Sequence, residues 1–349
     1  MKLKNLLLIC SLGLLAFGAC KKSDDSTPSN PDNNTTPVTP TPYVPDNSFK
    51  IVAYMPSYKD PETVDMSKYK MITHLFYAFL EIDAIADGTL KPLSQPTRFE
   101  TVMQRARANN VKVGISVSGS SASFATMAST ATARTKFVTN VVNFAKNNSL
   151  NGVDIDWEYP STSGTAPSAD NFVLLMKELS AELHKINKFL SAAVTPAVYS
   201  GGIREGIKPE VFQYVDFFNI MQYDGIGYDT SDPYQHASYK MSVASLDQYL
   251  NVKGLDRLKA VVGIPTYGKN VQNAAKGYRD IEAAGADVNG NVGTVAGVDY
   301  YFNGINLVKQ KAQLAKDRAN GIMFWEFSFD TNNANSLIKA ANDQLGRSY

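Results

Sequence analysis

The stretch Leu150-Asn151-Gly152-Val153-Asp154-Ile155-Asp156-Trp157-Glu158-Tyr159-Pro160 sets three acids at alternate positions, with Val153, Ile155 and Trp157 between and before them. Acidic and apolar residues in period two read as a strand, and a strand sends alternate side chains to opposite faces. Asp154, Asp156 and Glu158 therefore share one face, spread over roughly 13 Å. Carboxylates gathered on an interior surface repel one another and lose hydration, so a fold keeps them only for a chemical gain. The usual gain is a carboxyl that holds its proton near neutral pH and can deliver it as a general acid. A solvated acidic face on an edge strand is the competing account, and the apolar flanks argue against it.

Such a strand needs a frame, and the chain supplies one. Apolar strands are expected over 50–55, 72–80, 111–117, 190–195, 215–222, 260–266 and 321–327, besides the acidic one. Helices are expected over 97–110, 131–148, 168–188, 242–250, 304–319 and 333–345. In 168–188, Phe172, Leu175, Met176, Leu179, Leu183 and Ile186 recur at helical spacing. Eight strands alternating with helices are the count for an α/β fold of the (β/α)8, TIM-barrel type. One catalytic domain over 49–349 is expected, with at most a short insertion between strands 7 and 8. In that fold the site lies at the carboxyl ends of the strands, where Glu158 falls.

Other strand ends carry candidates. Tyr223 and Asp224 end the sixth strand and Trp325 the eighth; a half-buried barrel aromatic and a core tryptophan are the plain alternatives. Tyr54 and Phe79 end the first two strands and are expected to line the cleft. Trp157 faces away from the acids and is assigned to packing between sheet and helices. His74, His184 and His236 are scattered without metal-ligand spacing. His74 reads as strand packing, His184 as a helix-surface residue, and His236, in a loop after the sixth strand, as a candidate substrate contact. No metal and no cofactor is called for.

At these positions the sequence resembles glycoside hydrolase family 18, the chitinases and their relatives. Asp154-Ile155-Asp156-Trp157-Glu158-Tyr159-Pro160 resembles that family's fourth-strand signature. Met221-Gln222-Tyr223-Asp224 resembles its sixth-strand motif, and Gly263-Ile264-Pro265-Thr266-Tyr267-Gly268 its seventh strand. Ser116-Val117-Ser118-Gly119 is a degenerate form of its third-strand motif, and Trp325 matches its eighth-strand tryptophan. Two positions depart: Asn151 stands where many relatives have Asp, and Ser118 where they have Gly.

The resemblance implies a retaining hydrolysis in which the substrate's own 2-acetamido oxygen attacks the anomeric carbon, an exception to the two-carboxylate scheme. Glu158 would be the acid. Asp156 would orient the acetamido nitrogen and Asp154 would share a proton with Asp156. Tyr223 would bond the acetamido oxygen, with Asp224 and Met221 on the same side. Trp325 would form the floor, and Ser116 would bond Asp154 from the next strand. The substrate implied is a chitin oligosaccharide or another GlcNAc-containing glycan, cut by a chitinase-like endo-acting enzyme. The alternatives are an endo-β-N-acetylglucosaminidase acting on N-glycan cores and a non-catalytic glycan-binding protein. The segment 269–303 is short and rich in Gly, Asn and Ala, so a small insertion or loop and a shallow groove are expected.

The amino end is separate. Met1-Lys2-Leu3-Lys4-Asn5 precedes an apolar run over 6–19, the form of a secretory signal. It ends in Phe17-Gly18-Ala19-Cys20, which resembles a bacterial lipobox with Cys20 as the lipidated residue. Residues 20–48 are rich in Ser, Thr, Pro, Asn and Asp and read as a disordered tether. Lys22-Ser23-Asp24-Asp25 resembles a surface-export signal of Bacteroidetes lipoproteins. A lipid-anchored outer-membrane protein, exposed at the cell surface, is the expectation; a periplasm-facing or secreted protein is the alternative. Both cysteines, Cys10 and Cys20, lie in this region, so thiol catalysis and Cys-bound metal are excluded from the body. With 34 basic against 33 acidic residues and no basic stripe, nucleic acid is not expected as a partner. Contact with membrane is expected through the anchor alone, and a monomer is expected.

Overall fold

The computed structural model describes residues 42–164 and 167–349. The signal, Cys20 and most of the tether lie outside the described residues. Eight parallel strands close into a barrel. They are β1 (Lys50–Pro56), β2 (His74–Glu81), β3 (Lys112–Ser118), β4 (Gly152–Asp156), β5 (Phe189–Val194), β6 (Phe217–Ile220), β7 (Ala260–Pro265) and β12 (Gly321–Trp325). The strands intervening in sequence, β8 (Tyr267–Lys269), β9 (Ala275–Gly277), β10 (Val292–Val295) and β11 (Val298–Tyr301), form a separate sheet in the order β10-β11-β8-β9. The expected insertion is thus a small folded unit, with a helix at Tyr278–Ala283, rather than a loop.

Two apolar layers follow from the strand period. Outward residues such as Val153, Ile155 and Trp157 meet the helices. Trp157 is buried, stacked on Phe124 at 5.1 Å and edge-on to Phe172, as its side of the strand requires. Inward residues Val52, Tyr54, Phe76, Phe189, Phe217 and Met323 fill the barrel. The helix Ala169–Lys185 buries Phe172, Leu175, Met176, Leu179 and Leu183, the predicted stripe. A helix at Ser121–Ser129 was not expected; only Phe124, Met127 and Ala128 mark its buried face, and its start depends on Ser120 accepting from Ser123 N–H.

Two histidines behave differently from one another. His74 is buried in the barrel, edge-on to Phe189 and Phe217, as expected; burial and the nearby Lys112 and Lys50 push its pKa down to about 3. His184 is not a plain helix-surface residue. Its Nε2 lies 3.0 Å from Asp216 Oδ2, and the Tyr43 ring stacks on it at 3.9 Å.

Tyr43 belongs to the expected tether, yet residues 43–48 pack against the amino-terminal mouth of the barrel. The buried Lys50 ammonium donates to the carbonyls of Asp46 (2.9 Å) and Ser48 (3.0 Å), and Asp46 pairs with Lys112. Deleting 42–48 would leave Lys50 without these acceptors. A protein beginning at Phe49 is therefore expected to lose about 2 kcal/mol, lowering Tm by roughly 4–8 °C. Differential scanning of the two lengths checks this; equal Tm values would show that the segment only rests on the barrel.

Candidate active site

Parallel register carries the acids to their partners. Asp154 on β4 is level with Ser116 on β3 and with Ser191 on β5. Asp154 is fully buried and accepts four bonds: to Oδ2 from Tyr54 Oη (2.9 Å) and Ser116 Oγ (2.8 Å), to Oδ1 from Ser191 Oγ (2.6 Å) and Asn219 Nδ2 (3.2 Å). Asn219 also donates to Tyr54 Oη at 2.8 Å. Burial raises the Asp154 pKa, and the bonds from Ser191, Ser116, Tyr54 and Asn219 oppose it. Ser116 contacts Asp154 as expected. Tyr54 does not line the cleft: it is 1% exposed and lies beneath it, a donor to Asp154. No Asp154–Asp156 hydrogen bond forms, because hydroxyl and amide donors occupy Asp154.

Asp154→Ala would strip four buried donors of their acceptor. It is expected to cost about 3 kcal/mol, read in denaturant unfolding as a lower midpoint. A change below about 0.5 kcal/mol would show that water replaces the carboxylate.

One residue-pair further along, Asp156 faces the cavity. Burial, then the charges of Glu158 and Asp154, raise its pKa well above the usual carboxylate range. Its Oδ1 is buried and meets no hydrogen-bond partner among the described residues. Glu158, beyond the end of β4, reaches solvent.

Phe79, Asp156, Glu158, Met221, Tyr223, Asp224 and Trp325 line one cavity of about 210 Å3, with Ser118, Tyr159 and Tyr267. The structure thus brings together the candidates from β2, β4, β6 and β12, leaving Tyr54 and Ser116 below. Trp325 stacks on Phe79 at 5.7 Å, with Tyr54 tilted against it at 5.6 Å. Three peptide bonds beside this cavity are cis: Ala78–Phe79, Glu158–Tyr159 and Trp325–Glu326. Burial, then Asp156 and Glu158, push the Tyr223 hydroxyl pKa well up, so Tyr223 stays a donor.

Asp224 is fixed from the insertion side. Its Oδ1 accepts from Tyr267 Oη at 2.6 Å and lies 2.8 Å from Lys269 Nζ. Burial would raise its carboxyl pKa, but His236, Lys269 and Tyr267 together outweigh burial and bring it to about 2. His236 is completely buried behind Asp224, so the expected direct substrate contact is not available to it.

Tyr159, Tyr267, Lys269, Ser191 and Asn219 were not assigned from sequence. Tyr159 and Tyr267 stood inside quoted motifs; the others needed cross-strand register or the fold of the insertion. Asn151 lies on the exposed amino-terminal rim, where Oδ1 accepts from Val113 N–H at 2.8 Å, so it is far from the reacting end of β4. Ser118 lines the cavity beside Asp156. Among the described residues no His, Cys, Asp and Glu group could hold a metal ion.

A closed (β/α)8 barrel with a carboxyl cluster and stacked aromatics at the carboxyl ends of its strands fits a glycoside hydrolase, and the family match gives that class. The chain belongs to glycosyl hydrolases family 18, whose model matches residues 50–330. It is similar to Chitinase 1 of Aphanocladium album, 26% identical over 344 residues and covering 79% of each chain. Probable chitinase 2 of Drosophila melanogaster is 28% identical over 245 residues, 63% of this chain and 49% of that protein, so the match spans about half its length. A solved chitinase from Bacteroides thetaiotaomicron superposes with a TM-score of 0.70 at 27% identity, covering 86% of this chain and 99% of the other.

Proposed function

We propose that the protein is an endo-acting, chitinase-like glycosidase that hydrolyses β-1,4 bonds after N-acetylglucosamine with retention, by substrate-assisted catalysis. The observation that carries this reading is the state of the three carboxyls in the cavity. Glu158 reaches solvent and can protonate a leaving oxygen. Burial and the charges of Glu158 and Asp154 hold the Asp156 pKa well above the usual carboxylate range, which makes it a poor nucleophile, and Asp224 is engaged by Tyr267 and Lys269. This arrangement suits the mechanism that the family resemblance implies, in which the nucleophile is the substrate's own acetamido oxygen. Tyr223 donates to that oxygen, Asp156 meets the acetamido N–H with its unpartnered Oδ1, and Trp325 supports the ring. Met221 packs beside the acetamido group.

An oligosaccharide is favoured over a single unit by a groove of about 420 Å3 that shares Tyr159, Tyr223 and Asp224 with the cavity and continues past Thr195, Tyr199 and Arg204. The relatives named chitinases support the same substrate class. The proposal keeps the lipid anchor at Cys20 and an outer-membrane location, to be read from palmitate labelling that Cys20→Ala would abolish.

The test is parallel hydrolysis of a chitin hexasaccharide and an N-glycopeptide by the purified protein. Cleavage of the hexasaccharide within the chain, with β-anomers as the first products by NMR, is expected. Release of glycan from the glycopeptide alone would move the function to N-glycan cores. Saturable binding without turnover of either would overturn the enzymatic reading for these substrates.

A further inference from the structure

His236 makes contacts that a packing residue would not need. Its side chain is 0% exposed, and its Nε2 lies 3.3 Å from the Tyr267 carbonyl. A carbonyl only accepts, so the proton sits on Nε2. Burial lowers the imidazole pKa and so favours the neutral ring, against the pull of the Asp224 carboxylate. The Asp224 N–H points at Nδ1 from 3.3 Å, and Asp224 Oδ1 lies 3.3 Å from the same atom, so the ring meets both the backbone and the carboxylate of Asp224. The main-chain carbonyl of His236 receives the next amide, Gly225 N–H, at 2.8 Å. Two consecutive amides of the turn after β6, those of Asp224 and Gly225, are thus held by one residue.

The held turn is a costly one. Asp224 has φ +63°, a left-handed conformation that crowds a residue with a Cβ. It persists only where its surroundings fix it. Here Tyr267 and Lys269 hold the carboxylate, and His236 lies against both the carboxylate and the backbone. The His236 ring also lies on Tyr267, with centroids 5.0 Å apart, so the two supports brace each other.

We propose that His236 is a positioning residue of this site: its imidazole holds the left-handed turn at Asp224 and thereby aims the Tyr223 hydroxyl and the Asp224 carboxylate into the cavity. This rests on the reading of Tyr223 and Asp224 as substrate contacts. A shift of about 1 Å in such groups can cost up to about a hundredfold in rate.

The experiment compares His236→Leu with His236→Asn. Asn can present an acceptor where Nδ1 stands; Leu fills similar space without one. On the chitin hexasaccharide, His236→Leu is expected to lower kcat about tenfold to a hundredfold, with KM within about threefold of wild type. His236→Asn is expected to recover most of that loss. A crystal structure of His236→Leu is expected to show Asp224 out of the left-handed region. Asp224 unchanged in that structure, or equal kcat for the two variants, would overturn the proposal. If wild type does not cleave the substrate, the functional reading fails on its own, and the crystal structure still decides the role of His236.

Discussion

Glu158→Gln is expected to lower kcat on the proposed oligosaccharide by about 10^3-fold or more while KM stays within a few-fold. The substitution keeps size and shape and removes only the ability to deliver a proton. A sugar oxygen leaves poorly as an anion, so the loss falls on the bond-breaking step. Glu158 stands at the solvent end of the cavity while Trp325, Tyr223 and Asp156 surround the proposed acetamido sugar, so ground-state binding depends little on it. A second substrate separates lost acid catalysis from damaged folding. An aryl glycoside of chitobiose carries a leaving group that departs without protonation, so the variant should lose far less on it. Equal losses on both substrates would overturn the assignment of Glu158 as the acid. They would point instead to a role in placing the sugar.

How much of this site could be read from the chain depends on whether a feature is local or crosses strands. The alternation at 152–158 is local, and it sufficed to put three acids on one face and Trp157 on the other. Strand count and helical stripes are local too, and the barrel follows from them. Ser191 and Asn219 are not local. They reach Asp154 only because β4 and β5 pair level at Asp154 and Ser191 and β6 follows, and nothing in their own sequence neighbourhoods marks them. Tyr54 was expected one layer too high for the same reason: strand tilt and stagger set the depth of an inward side chain, and neither is written in a single strand. The end of β6 came out shorter than expected, at Ile220 rather than residue 222, because the chain leaves the ladder to make the left-handed turn at Asp224. An aspartate in that conformation is uncommon enough that apolar pattern alone would continue the strand. The segment 269–303 was read as Gly-, Asn- and Ala-rich and therefore slight, yet its first residue, Lys269, reaches Asp224 from the same short strand as Tyr267. Composition measured its size and missed its reach into the site.

Asp156→Asn should separate stability from function within one residue. Asp156 is buried between two acids, and its pKa lies well above the ordinary 3.8, from burial first and the charges of Glu158 and Asp154 next. The folded protein therefore holds this proton more tightly than the unfolded chain does. Folding takes up a proton from about pH 4 upward, and stability from this group is full below the unfolded pKa and is lost as pH rises towards the folded value. An amide has no such dependence. The Tm of the variant relative to wild type should accordingly rise between pH 4 and pH 8, reaching a gain of about 1 kcal/mol, or roughly 2–4 °C. Activity should move the other way. In the proposed reaction the acetamido nitrogen becomes part of an oxazolinium cation, and a carboxyl that can accept its N–H and take on charge stabilises that ion where an amide cannot. A loss of about 10^2–10^3 in kcat is expected, the scale of removing one preorganised electrostatic partner. Thermal scans across pH with initial rates on the same preparations measure both. A flat Tm difference would mean that Asp156 is not held protonated. An unchanged kcat would mean that the cation forms without it, and the substrate-assisted reading would lose its main protein contribution.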